Sequence, residues 1–343
     1  MSDKPFDDLP EAVVRMLRSA AFTEFGTMTG AGVPLDTPLF CFTDHDGASI
    51  DVATGLAYPT KAERARRNPK VGLFIEGGPG EPVVCIAARA AVRDRDPQAN
   101  LERYLAETIA YLSSYAGQTP WPIVREAIWY WVRTFIQAHP VRILWWPDAG
   151  ALGGPPGCWD APAGTVFPQS DPAPPAPPTA APAWKTRDWR ERAREILALG
   201  LPGHVTLVDD EGYPIPFRCE SATGCDAGFD LSIAAGAPWR IAGKASLCFQ
   251  GQATFVGDVS PIAGGARLHV QRILPDLPTV IDTSELWAPS PATREGLMGR
   301  LARELERRGL PLPVVPVDPP APTRGGIARA QALAARYGAA AAT

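Results

Sequence analysis

Apolar residues recur at helical spacing near the start of the chain. Val13, Val14, Leu17 and Ala21 follow the three- and four-residue steps that place side chains on one face of a helix. The pattern predicts an amphipathic helix over residues 10–21, before the first strand.

Short apolar and β-branched runs follow this helix, bounded by turn formers such as DHDG, NP and GGPGEP. They predict strands at 25–29, 35–42, 49–53, 71–76, 83–92, 130–137 and 141–146. A short helix is expected at 60–67 and a longer one at 97–113. Many short strands with few helices are typical of a closed antiparallel barrel, and a doubly wound sheet is not expected.

The second half of the chain repeats this order of elements. A charged helical segment at 189–199 precedes a D-x-x-G hairpin, a strand, a basic turn, a long strand pair and a closing strand. Because the order recurs while the identities hardly do, we interpret the pattern as an internal duplication. The predicted fold class is mainly β, with two tandem antiparallel barrels and helical additions.

Breaker-rich stretches divide the chain. Residues 151–183 are rich in proline, alanine and glycine, which favour extended backbone and predict a semi-rigid linker. We therefore expect a first barrel domain at 1–150, a second at 184–282, and a helical and proline-rich tail at 283–343.

Composition narrows the possible partners. The 343 residues are 45% hydrophobic and carry a net charge of −4, so large cores are expected and attraction to nucleic acid is not. The acidic amino terminus lacks the features of a secretory signal, and no apolar run is long enough to span a bilayer. These features predict a soluble, cytoplasmic protein without a membrane partner.

Cysteine and histidine spacing gives no sign of a metal site. The six cysteines are scattered without a C-x-x-C pair, which favours reduced and mostly buried thiols. The four histidines are isolated from one another and from any Asp/Cys cluster, so no zinc site is predicted. The sequence leaves open whether one of these histidines is an axial haem ligand.

One stretch of the first half resembles a known family. Thr54, Thr60, Lys61, Asn68 and Pro69 follow a strand, basic turn and Asn-Pro order similar to that of the pyridoxine 5′-phosphate oxidase-like, FMN-binding split-barrel superfamily. The resemblance covers about 22–147, and more faintly 203–274. It implies that both barrels are split β-barrels, packed as relatives pack in a homodimer, with a flavin in the groove between them.

The residues that begin the short helix suit a phosphate group. A flavin phosphate is dianionic and is held well by a helix amino terminus, a hydroxyl and a cation together. Thr60 and Lys61 supply all three. The alternative is that Thr60 caps a helix whose Lys61, Arg64, Arg66 and Arg67 form only a solvated face.

The resemblance also implies where the isoalloxazine ring lies. The expected ring contacts come from Asp36, Thr37 and Pro38 on one strand and from Ala53 and Thr54 on the next. Trp145, near the end of the last strand, is the expected flanking aromatic residue.

The sequence departs from the family at two cofactor contacts. Leu35–Asp36 and Val83 stand where catalytic members usually carry an arginine and a glutamine. Arg64 or Arg67, or Arg218, Arg240 or Lys244 from the second unit, are the expected replacements, unless the site is degenerate. The second unit lacks the Thr-Lys and Asn-Pro signals and has Trp239 instead, so a single flavin is expected per chain.

The expected function is an FMN-dependent oxidoreductase acting on a small molecule. The alternative is a non-catalytic flavin- or haem-binding sensor of the same fold, or a fold without cofactor. The chain is expected to be a monomer that forms an internal pseudo-dimer, or a homodimer. No side chain identifies itself as a catalytic acid or base.

Overall fold

The computed structural model describes residues 5–43, 47–112, 119–180, 186–275 and 287–338. Two closed, six-stranded antiparallel barrels account for most of the described strand content, with helices packed around them. The prediction of a mainly β fold with two antiparallel barrels is therefore confirmed.

The first barrel closes through β1, β3, β4, β7, β6 and β5, and β5 pairs back onto β1. Two short strands lie outside this ring, since β2 pairs with β1 and β8 pairs with β7. The strands are β1 Phe22–Met28, β2 Pro34–Leu35, β3 Pro38–Thr43, β4 Ile50–Gly55, β5 Lys70–Glu76, β6 Val83–Arg93, β7 Arg133–Trp146 and β8 Gly157–Asp160.

The second barrel has the same strand order. Its ring runs β9, β10, β11, β14, β13 and β12, and β12 pairs back onto β9. The strands are β9 His204–Val208, β10 Pro214–Cys225, β11 Gly228–Ile233, β12 Gly243–Phe249, β13 Ala253–Ile262 and β14 Gly265–Ile273. Each of the six strands thus has a counterpart with the same neighbours in the first barrel.

Helices connect the strands and cover the first barrel. The described helices are α1 Pro5–Asp8, α2 Glu11–Ser19, α3 Thr60–Arg67, α4 Pro97–Thr108, α5 Trp121–Val124, α6 Ile128–Trp131, α7 Trp189–Ala198, α8 Pro291–Arg308 and α9 Arg324–Gly338. Helix α4 begins where the Asp96 carboxylate accepts a hydrogen bond from the Ala99 N–H, and Pro97 fits the first turn because it needs no donor. Among the described helices, none is long and apolar enough to cross a membrane.

The two strands expected at 130–137 and 141–146 form one long strand, β7, which begins only at Arg133 because residues 130–131 belong to helix α6. Its pairing with β6 shifts register between Ala87 and Ala88, directly opposite Pro140. A bulge tolerates proline because the ladder hydrogen bond is already interrupted there. The strand therefore continues through the proline.

The two barrels pack directly against each other. One apolar core contains Phe74 and Trp146 of the first barrel and Phe217 and Trp239 of the second. Gly72 on β5 lies so close to the Pro214 carbonyl oxygen that a Cβ would overlap it. A residue without a side chain is required at this position because the backbones approach so closely.

The proline-rich segment and the carboxyl-terminal helices also pack on the first barrel. The Asp171 carboxylate accepts hydrogen bonds from the backbone N–H groups of Asp94 and Arg95. Helix α8 contributes Leu297, Leu301 and Leu305 to an apolar cluster that contains Trp131. The chain therefore returns from the second barrel to cover the first.

Candidate functional site

Helix α3 is positioned by two buried alanines and ended by a proline. Ala62 and Ala65 pack into the first barrel core, which leaves the opposite face for polar residues. The helix ends at Asn68 because Pro69 disfavours helical backbone in the residue before it. Pro59 precedes the first turn and makes no side-chain cap hydrogen bond, so the first-turn N–H groups stay available near the exposed Thr60.

Cations gather along one side of α3. Lys61, Arg64 and Arg67 recur every three residues, and the Arg64 guanidinium lies 3.5 Å from the Thr27 hydroxyl. The Arg67 guanidinium lies beside Gly30 in the first hairpin. Arg272, on β14 of the second barrel, is close enough to Arg64 to disfavour its charged form. The groove between α3 and the second barrel is therefore strongly positive.

These cations lack acidic partners within the described part of the chain. No described carboxylate lies within ion-pairing distance of Lys61, Arg64, Arg67 or Arg272. The neighbouring Arg66 differs, because its guanidinium lies 2.8 Å from the Asp94 carboxylate. The positive charge of the α3 groove is thus not neutralised by these residues.

The pKa values record this crowding. Burial, followed by the charges of Arg64 and Arg133, lowers the pKa of Lys61 to about 8. Burial, with Arg67 and Arg272, lowers the pKa of Arg64 to about 10. A bound anion would reverse both shifts, because it favours the charged form of each side chain.

The residues expected to contact a flavin ring lie in two environments. Asp36, Ala53 and Thr54 are only 1%, 4% and 3% exposed, because the chain covers them with its own side chains. Ala53 lies in an apolar cluster with aromatic residues such as Trp131. Thr37 and Pro38 are half-buried, and Gly251 of the second barrel packs against the Pro38 ring.

Three other expected contacts lie away from α3. The Trp145 indole packs against Gly157 of β8. Arg218 forms an ion pair with Glu76 across the barrel interface. Arg240 is 84% exposed and lies 3.3 Å from Asp210. The structure therefore brings Thr60 and Lys61 together with Arg64, Arg67 and Arg272, of which sequence reasoning missed Arg272.

Similarity to known proteins is found at the level of structure. No family model and no curated protein matches the chain. Among solved structures, a conserved hypothetical protein from Mycobacterium tuberculosis matches with 22% identity and a TM-score of 0.33, covering 43% of this chain and 89% of that one. A pyridoxamine 5′-phosphate oxidase-related, FMN-binding protein from Nostoc punctiforme matches with 13% identity and a TM-score of 0.30, covering 40% and 84%.

A third match is PhzG from Burkholderia lata in complex with tetrahydrophenazine-1-carboxylic acid, with 13% identity, a TM-score of 0.31, and coverage of 46% and 91%. Within this chain, both barrels share one strand order. The chain has a tandem split-barrel fold.

Matching contacts relate the two halves of the tandem split barrel. Lys70 at the start of β5 donates to the Glu211 carbonyl in the first hairpin of the second barrel. Lys244 at the start of β12 donates to the Ala31 carbonyl in the first hairpin of the first barrel, at 2.7 Å. Equivalent lysines make equivalent contacts, so the barrels pack around a pseudo-twofold axis.

The groove related to the α3 groove by this axis has different chemistry. Trp239 is buried there, and its indole N–H donates to the Ile215 carbonyl at 2.9 Å. A cavity of about 230 Å³ lies beside it, with Arg142 in its lining. Arg142 is neutralised by Asp160 at 2.7 Å and Glu211 at 2.9 Å. This groove therefore has less unpaired positive charge to attract an anion than the α3 groove has.

Proposed function

We propose that the tandem split barrel binds a flavin-type cofactor through its phosphate at the amino terminus of α3, and that it is an FMN-dependent oxidoreductase acting on a small molecule. The observation that carries this proposal is the group of cations in the α3 groove, which lack an ion-pair partner among the described residues. Lys61 and Arg64 are half-buried and crowded by other cations, so an anionic ligand would favour the charged form of each side chain.

The residues present fit a phosphate group. First-turn N–H groups and the Thr60 hydroxyl would donate to its oxygens, while Lys61 and Arg64 would neutralise its charge. Arg272 would reach the same groove from the second barrel, in the place that sequence reasoning assigned to Arg218 or Arg240. When bound, FMN supplies two-electron redox chemistry.

The ring would lie beside Thr37 and Pro38, the half-buried members of the expected ring contacts. The chain's part in the reaction is to hold the phosphate, to orient the ring and to keep water from it. The burial of Asp36, Ala53 and Thr54 reduces the surface available for a substrate beside the ring. This burial favours the second candidate function, a non-catalytic flavin-binding protein.

The binding proposal is tested by titrating the protein with FMN and with riboflavin, following flavin fluorescence. We expect FMN to bind and riboflavin, which lacks the phosphate, to bind at least tenfold more weakly. Lys61→Ala removes a charge-assisted hydrogen bond, typically about 1.5–3 kcal/mol, so FMN affinity should fall about tenfold or more.

Arg240→Ala is the matched control, because Arg240 is a cation beside the related groove and away from α3. Its FMN affinity should equal that of the unaltered protein. Unchanged affinity in Lys61→Ala, or an equal loss in Arg240→Ala, would contradict the α3 site. One bound FMN per chain is expected, because the related groove holds the buried Trp239 and its Arg142 is neutralised by Asp160 and Glu211.

The catalytic part of the proposal needs a separate test. The FMN complex is reduced under anaerobic conditions by light and a sacrificial electron donor, which is oxidised in the process, and is then mixed with a panel of small-molecule acceptors. An oxidoreductase is expected to pass electrons to one class of acceptor faster than free reduced FMN does. Equal rates across the panel would favour the non-catalytic binder.

A further inference from the structure

Four buried side chains from both barrels converge near the pseudo-twofold axis. We call Glu24, Asp36, His204 and Cys248 the axial cluster. One ligand atom from each of Glu24, Asp36 and Cys248 lies within 4.8 Å of the other two. His204 is 5% exposed, and its Nδ1 lies 3.4 Å from Glu24 Oε1.

The pairing registers explain why the two halves meet there. On β1, Thr27 pairs with Leu35, and on β9, Leu207 pairs with Ile215. Glu24 and His204 each lie three residues before that pair, so they occupy equivalent positions in the two barrels. The axis thus brings equivalent positions of β1 and β9 into contact, one occupied by a carboxylate and the other by an imidazole.

Several atoms of the axial cluster have no hydrogen-bond partner although water cannot reach them. They are Glu24 Oε2, Asp36 Oδ2 and His204 Nδ1. Burying a polar atom without a hydrogen bond is unfavourable in free energy, so these atoms indicate a binding partner that the protein itself does not supply. His204 is the independent observation here, because its unpartnered nitrogen faces the acidic pair from the other barrel.

We propose that the axial cluster binds one zinc ion. A thiolate, an imidazole nitrogen and two carboxylate oxygens form a donor set that zinc accepts in tetrahedral geometry. Tetrahedral ligands around zinc lie roughly 3.3–3.8 Å apart, given bond lengths of about 2.0–2.3 Å. The ligand atoms of Glu24, Asp36 and Cys248, which lie within 4.8 Å of one another, therefore reach the metal through small side-chain movements. The fourth ligand atom, His204 Nδ1, lies 3.4 Å from Glu24 Oε1.

The surroundings of the axial cluster suit bound metal. Ser246 Oγ donates to Asp36 Oδ1 at 3.4 Å, and the Thr206 hydroxyl also lies beside this carboxyl, where burial raises the pKa and both hydroxyls lower it. The Gly251 N–H donates to Cys248 Sγ at 3.3 Å, a contact that stabilises a thiolate. Such outer contacts orient metal ligands and are often as important as the ligands themselves.

Ligands from both barrels would make this ion a cross-link. Glu24 and Asp36 belong to the first barrel, and His204 and Cys248 to the second. An ion that binds the folded chain and not the unfolded chain stabilises the folded state by mass action. Zinc at this position would therefore hold the two barrels together at their axis.

The proposal is tested on the full chain after removal of metal with a chelator. The protein is dialysed against Zn²⁺ alone for metal analysis, and titrated with Co²⁺ alone for absorption. We expect one zinc per chain, and thiolate-to-cobalt charge-transfer absorption in the near ultraviolet. Cys248→Ser should abolish that absorption, and His204→Gln should weaken Co²⁺ binding at least tenfold.

Cys41→Ser is the matched control. Cys41 is also a fully buried strand thiol, but it lies in the first barrel core and away from the axial cluster. Its Co²⁺ spectrum should equal that of the unaltered protein. The proposal is overturned if the unaltered chain takes up no zinc and shows no thiolate absorption, which would mean that Glu24 and Asp36 share a proton instead. Retention of the absorption in Cys248→Ser would also overturn it, and these wild-type readouts hold even if a variant fails to fold.

Discussion

Burial and neighbouring cations make the charge of Lys61 depend on pH. The side chain lies among cations at the start of α3, and burial followed by Arg64 and Arg133 lowers its pKa to about 8. An ammonium group held this way is only partly charged in slightly alkaline solution, so its charge depends on pH over an accessible range.

We expect FMN affinity to depend on pH through this lysine. The cationic form is needed to hold phosphate, so affinity should be highest below about pH 8 and fall as Lys61 loses its proton. The phosphate is dianionic above about pH 6, which sets the lower limit of the optimum. Fluorescence titrations at half-unit steps between about pH 6 and 9.5 measure the profile.

Lys61→Arg separates this cause from a general loss of binding. The ordinary pKa of arginine is about two units above that of lysine, so the variant should keep its charge and its affinity through the range near pH 8 where the unaltered protein loses them. A fall at the same pH in both proteins would show that another group controls the profile.

At the scale of elements, α8 is joined to α3 by buried ion pairs. Glu63 of α3 pairs with Arg307, and Glu304 pairs with Arg308. Glu304 is fully buried and also accepts the Thr179 backbone N–H at 2.6 Å. The hydrogen bonds from Thr179 and Arg308 outweigh burial and lower the pKa of Glu304.

Glu304→Gln should destabilise the chain by about 2–4 kcal/mol, because it leaves buried arginines with one fewer negative partner. Glu295→Gln is the control on the exposed side of the same helix, and it should change stability by less than about 0.5 kcal/mol. Urea unfolding monitored by tryptophan fluorescence measures both.

The pH dependence of stability gives a second measurement on the same variant. A carboxyl with a depressed pKa stabilises the fold above its ordinary value of 4.5, and that contribution is lost as the pH falls below it. The difference between Glu304→Gln and the unaltered protein should therefore shrink on acidification below about pH 4.5. A difference that does not change with pH would point to a packing defect.

At the scale of the whole molecule, each barrel has an apolar surface that the rest of the chain covers. The interface core joins Phe74 and Trp146 to Phe217 and Trp239. Helix α8, which follows the second barrel in sequence, covers Trp131 of the first. Separation would expose both apolar surfaces at once.

We expect residues 1–180 to be poorly soluble when produced alone, since exposed apolar patches of this kind drive association. Production together with residues 186–343 should restore solubility, because the second fragment supplies both covering surfaces. Size-exclusion chromatography of the co-produced pair, with the single fragments as controls, measures this. A soluble and monomeric 1–180 fragment would argue against an obligatory interface.

The sequence by itself determined the elements and their order. Turn residues and alternating strands are local signals, so the β class, both barrels and helix α3 with Thr60 and Lys61 at its start could be predicted. The continuity of β7 could not be predicted, because proline is locally typical of a strand break and only the pairing with β6 shows the bulge.

Only the tertiary structure decided which distant residues meet. Arg272 lies more than 200 positions from Arg64 and carries no local motif, and the axial cluster draws Glu24 and Cys248 from opposite halves of the chain. The burial of Ala53 depends on the same long-range packing, because the surrounding helices cover it. Local patterns determine each helix or strand because they involve residues that are close in sequence. The axis that relates the barrels instead arises from the packing of both halves. That packing places the cations in the α3 groove and brings together the side chains of the axial cluster.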